Sequence, residues 1–269
     1  DGSLEPLTAH YRDYVRWETW RRTTAAYERE LDAWTHRLAD PEDGLLLPYD
    51  REPDEAPGGP AESCTIPLHG VSTSALRQLC RDTSATPFMV LLAGFIRTLA
   101  PYARTTTLTI GTPSEDRVWA PSSPMIGYFV NTLPLRIATG GEPTFRELVR
   151  RVRGVALDSY QGAEVSFDDI VGAVNPRRSA VRPPLYEVMF TAAVGAPEAP
   201  QLGQAAIRGA SNPARRTKFS IEVDLRVRTR TVRGSLAYDT RWFDAATGQR
   251  LAFGLGEQLR SGIDAPDAR

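Results

Sequence analysis

The chain has 269 residues, 32 of them basic and 33 acidic, for a formal net charge of −1, with 41% hydrophobic and 24% charged side chains. That profile fits a globular protein built as one large domain or two closely packed ones, and the balanced charge leaves no electrostatic footprint for nucleic acid or an anionic membrane. No apolar run approaches the ~20 residues of a membrane helix, residues 1–9 carry no leader pattern, and Cys64 and Cys80 form no CxxC pair, so a cytoplasmic location without a disulfide framework is expected.

Residues 8–38 place Tyr11, Tyr14, Val15, Trp17, Tyr27, Leu31, Trp34 and Leu38 at roughly helical spacing, which predicts two helices broken near Thr23 and Thr24. Prolines and glycines between 41 and 60 mark a long connector. A strand of about five residues is expected near 64–68, and a short helix over 72–82. Phe88, Leu91, Leu92, Phe95, Ile96 and Leu99 predict an amphipathic helix over 87–102 that starts at Pro87. A strand at 106–111, a proline-rich loop at 113–124 and a more apolar strand at 126–137 follow. Thr144 and Glu147 have capping-box spacing ahead of a helix with the stripe Phe145, Leu148, Val149, Val152 and Val155.

The last third is richer in strands. Residues 186–194 read as a central strand. Phe219, Ile221, Val223, Leu225 and Val227 alternate with polar residues, and Val232, Gly234, Leu236 and Tyr238 repeat that pattern after a turn at 228–231. This predicts a hairpin in an antiparallel sheet with one wet face. Asp244 is expected to cap a final helix carrying Leu251, Leu255, Leu259 and Ile263.

The usual chemistries find little support. His10, His36 and His69 show no metal-ligand spacing and read as surface or packing residues. There is no GxSxG elbow, P-loop or GxGxxG. Asp168 and Asp169 point about 100° apart on a helix and suit its N-terminus. Arg177, Arg178 and Arg182 read as a solvated or salt-bridged turn, with an anion patch as the alternative. The informative stretch is 107–136. Gly127 there permits close backbone approach beside an aromatic, Asn131 is a polar group in an apolar strand that must find partners, and Arg117 sits on a loop where a charge usually has a defined partner. Taken alone, all three read first as structural.

At these residues the chain resembles the condensation domains of nonribosomal peptide synthetases. Tyr-Arg-Asp-Tyr-Val-Arg-Trp (11–17) is similar to their YxDFAxW motif, and Ile-Gly-Tyr-Phe-Val-Asn-Thr (126–132) to IGxFVNT. Residues 87–95 are similar to the helix before the family's VGTP strand, and 175–190 to its RDxSRNPL region. Residues 156–160 and 166–168 flank an eroded HQDVPFE, with Gly162 and Ala163 where His and Gln are usual. The resemblance covers nearly the whole chain and is to the family's C-terminal lobe.

The resemblance implies an α/β, chloramphenicol-acetyltransferase-like fold: one lobe of an α+β two-layer sandwich, with a mixed sheet and helices on one face. The domain organisation it implies is linker helices over 1–40, a connector over 41–62 and the lobe over 63–269, with a floor loop near 113–124 and a crossover within 196–216. It implies amide formation between a donor acyl thioester and an acceptor amine, each tethered by a phosphopantetheine arm to a carrier protein, and no cofactor or metal bound by the chain itself. The family's HHxxxDG motif is not found, so the chain reads as the second half of a domain, inactive alone, whose partners are the N-terminal lobe, peptidyl and aminoacyl carrier proteins and neighbouring synthetase domains. Arg117 matches an arginine that pairs with the aspartate of HHxxxDG, although Asp116 stands where glycine is usual and offers a local competitor. Ile126, Gly127, Tyr128 and Asn131 fall where the family's substrate tunnel runs. The alternative is a noncatalytic condensation-like domain that docks carrier proteins or recruits a tailoring enzyme.

Overall fold

The computed structural model describes residues 5–39, 47–56, 58–103, 105–115, 117–176, 179–195, 201–202, 205–206 and 216–268. Two helices open the chain, α1 (Tyr11–Arg21) and α2 (Ala25–Arg37), and Thr24 caps the second by accepting the Tyr27 N–H. The break therefore falls where the sequence places it. The two helices differ in depth. Trp34 and Leu38 of the α2 segment join the main core, whereas α1 packs on a separate, smaller cluster.

A six-stranded sheet runs in the order β1-β8-β7-β4-β2-β3. Its strands are β1 (Ala61–Thr65), β2 (Thr107–Glu115), β3 (Val130–Ala138), β4 (Val188–Val194), β7 (Ile221–Val227) and β8 (Val232–Asp239); β5 (Gln201–Leu202) and β6 (Ala205–Ala206) form a separate short ribbon. The hairpin β7–β8 is antiparallel as expected, and Ile221, Val223, Leu225 and Val227 are buried while Glu222, Asp224 and Arg226 face outward. The expectation of an antiparallel sheet needs correction, because β4 runs parallel to both β7 and β2. Its near-continuous apolar sequence suits a strand between two parallel neighbours.

Three boundaries also move. The first strand lies at 61–65, not 64–68, since its ladder with β8 closes on the Ile66 N–H and Pro67 has no N–H to continue it. β2 runs on to Glu115 through Pro113. It pairs with β4 only at Gly111, so beyond that point it behaves as an edge strand, where proline is tolerated. β3 begins at 130, not 126, because residues 126–129 have no ladder partner among the described residues; Gly127, the Tyr128 carbonyl and Phe129 meet α1 instead.

Helices α3 (Thr73–Thr83), α4 (Pro87–Leu99), α5 (Phe145–Gln161) and α7 (Ala245–Asp264) cover the apolar face of the sheet; α6 (Phe167–Val174) packs against α2. The central helix α4 is buried on nearly every side. The Thr144–Glu147 capping box forms as expected, with N–H bonds of 2.8 and 3.3 Å. Asp244 occupies the N-cap of α7, but its carboxylate pairs with Arg51 at 2.7 Å. Asp50 takes over the capping and accepts the Asp244 N–H and the Thr247 hydroxyl. The expected crossover at 196–216 lies outside the described residues apart from the short ribbon and Arg216, as do residues 41–46 of the connector. No single helix among the described residues is long and apolar enough to cross a membrane.

Candidate functional site

The site is built where β2 and β3 outrun the rest of the sheet. The two strands pair without a slip from Thr107↔Ala138 to Glu115↔Val130. The segment between them folds back over their open end, with a single 3₁₀ turn at Ala120–Ser122.

Arg117 holds this segment together. One guanidinium nitrogen donates to the carbonyls of Ser122 and Met125, the latter at 3.0 Å, and the guanidinium carbon lies 4.1 Å from the centre of the Phe129 ring, over its face. Its Nε faces the Glu115 carboxylate at 2.7 Å. The expected local competitor, Asp116, lies outside the described residues; among the described residues the acid that pairs with Arg117 is Glu115. Sequence reasoning missed Glu115, although residues two apart at a strand end share a face.

Beneath the segment, Tyr14, Met125 and Phe129 are buried together, and Trp17 stacks on Trp119 at 6.0 Å. Tyr11, Tyr14 and Trp17 recur every three residues, so one face of α1 carries all three aromatics. The Tyr11 hydroxyl donates to the Tyr128 carbonyl at 3.0 Å. Gly127 is what allows this approach, because a Cβ there would stand 2.4 Å from the Tyr11 ring. The two sequence motifs at 11–17 and 126–132 are therefore halves of one contact.

The same segment alternates in and out. Met125 and Phe129 point inward, whereas Ile126 is 98% exposed and Tyr128 73% exposed. Val130 and Val118 are also exposed. A single apolar side chain on a surface needs no explanation, but a row of them does. Beside the row lies an open groove of about 270 Å³, lined by Ser114, Glu115, Arg117, Gly127, Phe129 and Val130. Arg117 and Gly127 thus reach the groove. Ile126 and Tyr128 stand out from the surface.

Asn131 faces the other way. Its amide nitrogen donates to the carbonyls of Ala163 and Val165 at 2.9 and 2.7 Å, and its oxygen accepts the N–H groups of Thr132 and Phe167. Its hydrogen-bonding capacity is spent inside the molecule. Asn131 is a clamp that fastens β3 to the turn after α5.

That turn receives α1 and α2 as well. Trp34, fully buried, donates its indole N–H to the Gly162 carbonyl at 2.8 Å, and a Cβ at 162 would lie 2.7 Å from that nitrogen. Arg21 pairs with Glu164 at 3.0 Å, and Arg22 grips Asp169 at 2.7 Å through Nε. The Tyr27 hydroxyl donates to the same carboxylate and accepts the Ser166 N–H. Burial alone would raise the Asp169 carboxyl, but hydrogen bonds from Arg22, Tyr27 and Ser166 outweigh it and hold the group below its ordinary value. Burial, followed by the neighbouring Asp169, pushes the Tyr27 phenol up. Asp168, adjacent in sequence, takes no part in this hook. His10, His36 and His69 are all exposed. Arg182 pairs with the buried Glu187 at 3.1 Å, and Arg177 and Arg178 lie outside the described residues.

Comparison with known proteins gives this geometry a family. The sequence profile of the condensation domain matches residues 1–269. The chain belongs to the condensation-domain family. It is 32% identical over 267 residues to cyclosporin synthetase simA of Tolypocladium inflatum, covering 97% of this chain and 2% of that protein. It is 31% identical over 274 residues to enniatin synthase of Fusarium equiseti, covering 99% of this chain and 8% of that protein. Among solved structures, the X-domain from teicoplanin biosynthesis superposes with a TM-score of 0.86 at 24% identity, over 99% of this chain and 62% of that one. The condensation domain of the monacolin K polyketide synthase MokA gives 0.79 at 17% identity, over 99% and 64%. The chain thus spans a few per cent of the synthetases it matches and about three fifths of the solved domains. The fold is the chloramphenicol-acetyltransferase-like fold of condensation domains.

Proposed function

We propose that this chain is the C-terminal lobe of a nonribosomal peptide synthetase condensation domain and forms one wall of the cleft in which an amide bond is made. The acceptor amine attacks the carbonyl of the donor thioester. A C–N bond forms, the C–S bond breaks, and the thiol of the donor's phosphopantetheine arm leaves with a proton. Both thioesters arrive on carrier proteins, and the chain itself holds no cofactor in this reading.

The observation that carries the reading is the convergence of three motif segments, 11–17, 126–132 and 162–169, which fix an exposed apolar row beside a groove holding a guanidinium. Ile126 and Tyr128 are bare in a way that a facing lobe would cover. Arg117, largely shielded and braced by two carbonyls and a ring, is oriented to receive a carboxylate from that lobe. The acid it would take is the aspartate of HHxxxDG. A buried carboxylate without a cation is costly, so each partner depends on the other.

A second reading is favoured by Gly162. Trp34 occupies the space that the family's histidine side chain would enter, so the eroded motif is built into the packing. In that reading the domain recruits a tailoring enzyme without performing chemistry; the X-domain from teicoplanin biosynthesis is itself known in complex with a second protein, OxyB. One assay separates the two. The chain joined to its first lobe is mixed with carrier proteins loaded with donor and acceptor. Amide product supports the first reading. Its absence, together with capture of an oxidase encoded beside the synthetase, supports the second.

A further inference from the structure

We infer that Glu115 is a built-in placeholder, a carboxylate that fills the anion seat at Arg117 until an acid on the opposing surface displaces it. The inference rests on the reading of Arg117 as a carboxylate receptor and adds how that seat is regulated.

Three features support it. First, the Arg117 guanidinium is fixed independently of Glu115, through the carbonyls of Ser122 and Met125 and the Phe129 ring. Removing Glu115 therefore leaves the cation in place. Second, the Glu115 side chain is 71% exposed while Arg117 is 27% exposed. An exposed ion pair of this kind contributes little, because water screens it, so Glu115 is held weakly in a seat whose other half is rigid. Third, the pair lines an open groove, so a second carboxylate can reach Nε without moving the backbone. A carboxylate presented by a closing surface is desolvated as it arrives and pairs more strongly than one left in water. The exchange conserves charge: one carboxylate leaves the guanidinium for solvent as another enters.

The Arg117 Nε–H resonance, followed by NMR in the full chain, tests this directly. Sodium acetate is titrated against sodium chloride at matched ionic strength, in the wild type and in Glu115→Gln. The variant is expected to shift its Nε–H resonance with acetate at a midpoint several-fold lower than the wild type, and Glu115→Asp, with its shorter arm, to fall between them. The same midpoint in wild type and Glu115→Gln would overturn the placeholder while leaving Arg117 a carboxylate seat. No response to acetate in either protein would overturn the seat itself, and the placeholder with it.

Discussion

Asn131 and Arg117 lie on neighbouring stretches of one motif-rich segment and were singled out by the same sequence logic, yet the structure uses them in opposite ways. Asn131 makes four hydrogen bonds, all internal. Arg117 is anchored through one nitrogen and one face, and its Nε edge is left against an exposed acid at the rim of a groove. A polar side chain whose valences are all spent inside builds the site. One that is braced on one side and open on the other is equipped to bind.

The largest effect belongs to the building side. Trp34→Ala removes a fully buried indole and its bond to Gly162. It is expected to cost about 3–5 kcal/mol, read as a large fall in the denaturant midpoint with the slope unchanged. Asn131→Leu strands the carbonyls of Ala163 and Val165 and is expected to cost about 2–4 kcal/mol. A thermal melt that matches wild type would show that the clamp carries no stability.

Gly127→Val pushes a side chain into the Tyr11 ring and is expected to cost about 1–3 kcal/mol, with part of the loss restored by Tyr11→Ala. Failure of that second change to restore stability would remove α1 as the reason for the glycine.

Acid acts next. Asp169 is held below its ordinary value of 3.8, so the hook from α1 and α2 contributes fully above that value and is lost as pH falls through the depressed one. Near-UV circular dichroism is expected to show a transition below pH 3.8 in wild type that is absent in Asp169→Asn. The smallest effect is that of Glu115→Gln on stability, within about 1 kcal/mol by equilibrium unfolding, which separates the binding side from the building side.

Much of the frame was legible in the sequence because it follows period and capping. The opening helices, the Thr144 box and the β7–β8 hairpin all obey local rules. The parallel placement of β4 was not legible, since a continuous apolar run fits either direction. The extension of β2 through Pro113 was hidden because edge position is a property of the sheet, not of the residue. At the site, sequence singled out Arg117 and Gly127 and the need for partners at Asn131. It could not show that Asn131 turns inward, nor that Glu115 meets Arg117, because both depend on where β3 begins and how the following turn docks. The pairing of 11–17 with 126–132 joins residues far apart in the chain, and only the aromatic spacing of α1 hinted that one face awaited a partner.

The most direct test of the central claim is amide formation by the domain that joins this chain to its first lobe, with wild type and Arg117→Ala compared on loaded carrier proteins. Arg117→Ala is expected to lose product by about 100-fold or more, the cost of stranding a buried carboxylate. Undiminished amide formation in Arg117→Ala would contradict it.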